Sequence, residues 1–273
     1  MARLQIGVLR SLVEQPEPEM KKVSELGLCC CQVCSWDPEI WTDDVGQRLI
    51  TSAREHQVKI TTFWAGYPGP LVWNFVEGPV TIGLVPPEYR KMRVEVLKKA
   101  GDFAAKFHLP SITTHVGFLP ENPNDCEYLG TIEALKQVAG HCSDLGIEFW
   151  LETGQETPVT LLRTIELVGT GNLGINLDPA NLILYGKANP VDALDVFGRY
   201  VRGVHAKDGL YPTNGNELGK ETPLGEGKVN FPVLIPKLKS LGYIGALTIE
   251  REISGPQQIA DITRAIELLK PLS

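Results

Sequence analysis

Three carboxylates and one imidazole recur at similar intervals in the second half of the chain. They are Glu152 in LETG, Asp178 in NLDPANL, His205 in VHAKD and Glu250 in TIERE, spaced 26, 27 and 45 residues apart. Each closes a short apolar, β-branched run, the position where a parallel strand ends and a loop begins. Gathered at one place, three carboxylates repel one another by several kcal/mol at an effective dielectric of ~20 unless a cation sits among them. A divalent metal is the economical partner. Three oxygen ligands with one nitrogen suit Mn2+, the ion expected here, and are compatible with Mg2+, Co2+ or Zn2+. The competing reading is that these side chains are salt-bridged separately at the rim of the fold.

The elements that must bring the four together alternate along all 273 residues. Strand patterns fall at 4–9, 28–34, 58–64, 111–117, 147–151, 173–178, 201–206 and 246–250, and amphipathic helical patterns at 17–26, 39–56, 87–107, 127–144, 157–168, 190–198, 230–241 and 256–270. Eight near-continuously apolar strands, each followed by a helix, imply a parallel sheet covered on both faces. Eight is also the number that closes such a sheet, so the expected fold is α/β, a single (β/α)8 barrel over residues 1–273. An open doubly wound sheet is the alternative, but no GxGxxG follows the first strand. In a barrel the C-terminal strand ends share one face, which makes the tetrad a site. Two long connections, 65–86 and 207–229, would lie over that face, and Trp73 and Phe75 in the first could cap a ligand or simply pack the loop.

Composition narrows the function. A net charge of -7 argues against a nucleic-acid partner, which is held through clustered Lys and Arg. There is no ~18-residue apolar window, and Met1 leads straight into LQIGVL, so no membrane association is expected and a cytoplasmic location is. Cys29, Cys30, Cys31 and Cys34 cluster on one strand, where neighbours point to opposite faces and cannot share an ion. They read as buried small residues, with Cys126 and Cys142 isolated in helical segments.

The strings LETG (151–154), NLDPANL (176–182), VHAKD (204–208), LGEG (224–227) and TIERE (248–252) resemble the sugar phosphate isomerase/epimerase superfamily of xylose-isomerase-like TIM barrels, the AP endonuclease family 2 type. The likeness spans the chain and is densest after residue 147. It implies that Glu152, Asp178, His205 and Glu250 are the metal ligands and that Glu152 and Glu250 are also the acid/base pair. It further implies a homo-oligomer, for which the sequence marks no interface. The DNA repair branch binds three zinc ions through additional histidines. Here His115 matches one, but Phe63-Trp64, Asn181 and Lys220-Glu221-Thr222 stand where other ligands would be. The ketohexose epimerases carry an Arg six residues after the metal His and a His three after the metal Asp, where this chain has Tyr211 and Asn181, so their specificity does not transfer.

The expected activity is therefore a metal-dependent isomerase or epimerase of a keto sugar or sugar derivative. A metal chelating a ketone and its neighbouring hydroxyl acidifies the adjacent C–H and stabilises the enediolate. The same enediolate could expel a β-substituent, which makes a lyase or dehydratase the alternative; a non-catalytic sugar-binding barrel is the alternative of another class. Expected substrate contacts are His115, Asn181, Lys207, Asp208, Glu226 and Trp36. His115 could equally be a core histidine, Lys207 and Asp208 could brace the loop, and Glu226 is expected to orient His205. No glycine-rich phosphate cradle is evident, which favours an unphosphorylated sugar.

Overall fold

Eight parallel strands close into a barrel in the computed structural model, which describes residues 3–273. They are β1 (Ile6–Ser11), β2 (Cys30–Ser35), β3 (Lys59–Ala65), β4 (Ser111–His115), β5 (Glu148–Glu152), β6 (Leu173–Leu177), β7 (Val201–Ala206) and β8 (Leu247–Ile249). Closure runs through β1 and β8, with Ile6 opposite Leu247 and Val8 opposite Ile249. Eight helices form the outer ring: α1 (Glu17–Glu25), α2 (Asp43–Glu55), α3 (Pro87–Lys106), α4 (Cys126–Asp144), α5 (Pro158–Val168), α6 (Pro190–Phe197), α7 (Phe231–Ser240) and α8 (Pro256–Leu269).

The sequence pattern placed the eight barrel strands and the eight ring helices, and the differences among these lie at boundaries. Strand β2 starts at Cys30, not 28, because the Leu28 N–H is still tied to the Val23 carbonyl of α1. The helical pattern at 39–56 divides: Asp37 caps a 3-10 turn over Pro38–Ile40, and Thr42 then accepts from the Val45 N–H to start α2 afresh. The long connections are not bare loops. One carries a helical turn, Gly78–Thr81, and the other a ribbon of Asp208–Gly209 against Glu221–Thr222. The two meet where the Phe75 N–H donates to the Asn216 carbonyl at 3.0 Å.

The apolar core lies between strands and helices, where Trp41, Phe63, Phe103 and Phe107 pack ring against ring at 5.1–5.2 Å. Each such buried side chain contributes on the order of 2–3 kcal/mol. The barrel interior is different: it is polar. Thr62 meets Thr113 at 2.9 Å and accepts from Ser111 at 2.7 Å, while Gln32 donates to Asn176 at 2.9 Å. The strands approach closely enough that a Cβ on Gly203 would lie 2.3 Å from the Asn176 amide oxygen, so only glycine fits.

Cys30 and Cys31 are buried, and burial pushes the Cys30 thiol up to about 12. Cys29 and Cys126 are exposed and Cys34 is half-buried, which corrects the expectation that the whole cluster is core. No helix among the described residues is long and apolar enough to cross a membrane.

Candidate metal centre and active-site cleft

The four residues singled out by spacing converge. Glu152 is the last residue of β5, Asp178 caps the short helix Pro179–Leu184 just beyond β6, His205 lies in β7, and Glu250 follows β8 directly. One donor atom from each lies within 4.8 Å of every other. Ligands bonding a divalent ion at ~2.0–2.6 Å stand up to roughly 4–5 Å apart across it, so this spread admits one shared cation. Three of the atoms, Asp178 Oδ2, His205 Nδ1 and Glu250 Oε2, are buried without a hydrogen-bond partner. Orphaned polar atoms facing one point, in an oxygen-rich set with one nitrogen, are what such an ion would satisfy.

Local structure aims each side chain. Asp178 spends Oδ1 on the Asn181 N–H at 2.9 Å, a helix cap that turns Oδ2 inward. His205 Nε2 faces the Gln32 amide oxygen at 2.8 Å, because the Gln32 amide nitrogen is committed to Asn176. That bond leaves Nδ1 for the cluster, 2.9 Å from Glu250 Oε2 and 3.5 Å from Glu152 Oε1. Asn176 in turn donates to Glu152 Oε2 at 3.4 Å, and the Trp64 indole N–H donates to the same oxygen. Glu152 therefore keeps Oε1 for the cleft, where His115 Nε2 stands 3.5 Å away.

Charge is offset in part from within. Burial by itself pushes the carboxyls of Glu152 and Glu250 up. His205 and His115 beside Glu152, and Lys207 and His205 beside Glu250, outweigh it and hold both below their ordinary value. Burial likewise works against the charges of His205 and Lys207, yet the surrounding carboxylates raise both well above their usual values. The Lys207 ammonium is buried 3.5 Å from both Asp178 and Glu250 and 2.9 Å from Glu252. The Cys34 thiol is driven upward by burial, then by Glu250 and Glu152, and stays protonated.

Above the tetrad a cavity of about 530 Å³ is bordered by Trp36, Trp64, Trp73, His115, Asn181 and Tyr185. His115 packs edge-on to Trp64 and Trp73 at 5.4 and 5.3 Å, and Asn181 donates to Glu152 Oε1 at 3.4 Å. His115, Asn181, Lys207 and Trp36 are thus brought to the tetrad or its cavity.

Two expected contacts are not. Asp208 turns away and accepts from the backbone N–H groups of Gly209, Gly225, Gly227 and Val229 at 2.9–3.0 Å, so it braces the 207–229 segment. Glu226 pairs with Arg264 on the outer surface, and Gln32 holds His205 in its place. Strand alternation separates these cases: His205 and Lys207 share a face and Asp208 takes the other. The same parity would have found Gln32, Trp64, Asn176 and Glu252, each two or four residues from another inward position.

The family described as xylose isomerase-like TIM barrel matches residues 20–272. Over 194 residues the chain is 29% identical to an uncharacterized protein of Methanocaldococcus jannaschii, a stretch that is 66% of this chain and spans 62% of that relative's length. The crystal structure of a xylose isomerase domain protein from Planctomyces limnophilus is 36% identical, with a TM-score of 0.92 over 99% of this chain and 98% of that one. A D-psicose 3-epimerase from Clostridium cellulolyticum H10, solved with D-tagatose, shares the fold at 15% identity, with a TM-score of 0.73 over 98% of this chain and 99% of that one.

Proposed function

Because this chain belongs to the xylose isomerase-like TIM barrel family, we propose that it is a metal-dependent isomerase or epimerase acting on a keto sugar or sugar derivative. The observation that carries the reading is the convergence of Glu152, Asp178, His205 and Glu250 on one point, with three buried donor atoms left unpartnered. The same arrangement is hard to reconcile with a non-catalytic sugar-binding barrel, which would need no buried acidic tetrad. Supporting it further, the fold is shared with a solved sugar 3-epimerase.

The four residues would hold the ion, with Mn2+ the best match to their donors. A divalent cation supplies electron withdrawal from a ketone and its neighbouring hydroxyl, which acidifies the adjacent C–H. The chain's own residues do the rest. Glu152 Oε1, the oxygen free of Trp64 and Asn176, takes the proton, and Glu250 returns one from the other side of the substrate. Return to the same carbon is epimerisation, and to its neighbour isomerisation. His115 and Asn181 orient hydroxyls, and the tryptophan wall excludes water from the exposed face.

Solvent exchange tests the reading. The metal-loaded protein should incorporate deuterium from D2O at the carbon next to the ketone of a keto sugar, and Glu152→Gln should abolish this while sugar binding persists. Full exchange in Glu152→Gln rejects the assignment. An unsaturated or split product replaces the isomerase with a lyase.

A further inference from the structure

Two hollows open side by side at the C-terminal end of the barrel. The inner one, about 530 Å³, contains Glu152 and the tryptophan wall; the outer one, about 480 Å³, lies between the ends of β1, β2 and β8. Leu9, Cys34, Trp36, Glu250 and Glu252 border both, so the hollows form one cleft pinched at Trp36. The pinch is built in. A Cβ on Gly66 would lie 2.2 Å from the Trp36 ring, and the absence of that atom lets the indole settle over the end of β3, 4.9 Å from Trp64.

Pockets that enclose a drug-sized ligand measure ~300–1,000 Å³, so the inner hollow alone has room for a hexose. The outer hollow is surplus to a single sugar ring. Its lining combines the apolar Leu12, Ile40 and Ile262 with the polar Ser11, Asp37 and Gln258, the mixture that suits C–H faces and hydroxyls of a sugar. Its two cations are already spent: Arg10 bonds Glu19 at 2.7 Å, and Arg251 bonds Glu221 at 2.9 Å and Asp261 at 2.8 Å. The charged residues of the inner lining are Glu152, Glu250 and Glu252, with His115 beside them and no Lys or Arg among the described residues there. Away from the metal position, neither hollow offers a free Lys or Arg to a phosphate or a carboxylate, which would there be buried unpaired at high cost.

Resting on the keto-sugar reading above, we propose that the substrate is a neutral, unphosphorylated keto-glycoside. Its keto sugar occupies the inner hollow over the carboxylates, and its O-linked second sugar passes Trp36 into the outer hollow. The outer hollow is thus a second sugar subsite that sets specificity.

A matched pair of sugars tests this. Lactulose is D-fructose carrying a galactosyl group on O4, so the two differ only in the outer unit. Quenching of tryptophan fluorescence in the Mn2+-loaded protein should show lactulose binding about tenfold more tightly than D-fructose, a difference of ~1.4 kcal/mol. Ser11→Trp, at an exposed position that lines the outer hollow, should remove the preference and leave D-fructose affinity unchanged; Gln258→Trp, at a second lining position, should do the same. Equal affinities in the unaltered protein, or a preference that survives both blocks, overturn the subsite. Binding of neither sugar overturns the keto-sugar reading itself.

Discussion

Trp64, the penultimate residue of β3, donates its indole N–H to Glu152 Oε2 across the barrel interior. The bond pins one carboxylate oxygen and leaves the other to the cleft, making Trp64 a positioning residue for the candidate base. Trp64→Phe removes the donor and keeps an aromatic surface. Its kcat should fall ~10–100-fold with a much smaller change in KM. Losing a hydrogen bond to the ionised form also raises the Glu152 pKa, so the acid limb of the pH–rate profile should move to higher pH. A parallel rise in KM with kcat intact would mark Trp64 as pocket wall alone.

Lys207 neutralises the carboxylates that the proposed divalent ion would share. Removing one partner of a buried charge cluster costs ~3–5 kcal/mol, so Lys207→Met should lower the unfolding free energy of the metal-free protein by about that much. Saturating Mn2+ should recover much of the loss, because the ion supplies the missing positive charge. Urea unfolding with chelator and with Mn2+ measures both, and an equal loss under the two conditions would separate Lys207 from the metal centre.

Glu156, four residues past Glu152, is buried with Oε1 unpartnered, and burial pushes its carboxyl from 4.5 up to about 8. The amides of Glu156 and Gly154 and the Lys187 charge offset this only in part. A folded value above the unfolded one means that the native state holds the proton more tightly. The stability it contributes is complete below pH 4.5, declines by ~1.4 kcal/mol per unit as pH rises toward about 8, and is constant beyond. Glu156→Gln should therefore gain on the unaltered protein between pH 5 and 8, by at most roughly 5 kcal/mol. A stability difference that does not change with pH would place the Glu156 carboxyl in water.

The barrel and the positions of the tetrad were legible because strand periodicity and strand-end chemistry are local properties. Glu152, Asp178, His205 and Glu250 each announce themselves by closing an apolar run. Gln32 and Trp64 close no apolar run: strand parity turns a glutamine in a cysteine-rich strand and a tryptophan in an apolar one inward, but only the register sets them across from His205 and Glu152. Glu226 misled for the opposite reason. Its glycine-flanked motif looks catalytic, but the path of the 207–229 segment, fixed by four amides on Asp208, carries it to Arg264. Chain path through a long connection depends on tertiary bonds that no window of sequence contains.

The single main-chain bond between Phe75 and Asn216 makes one canopy of two distant segments. Neither segment can lift by itself without stranding an amide, which costs on the order of 1–3 kcal/mol if no water reaches it. On the reading proposed above, a sugar would enter by the flank beside Trp36, where the two hollows join, and the hollow it passes would also read its second ring.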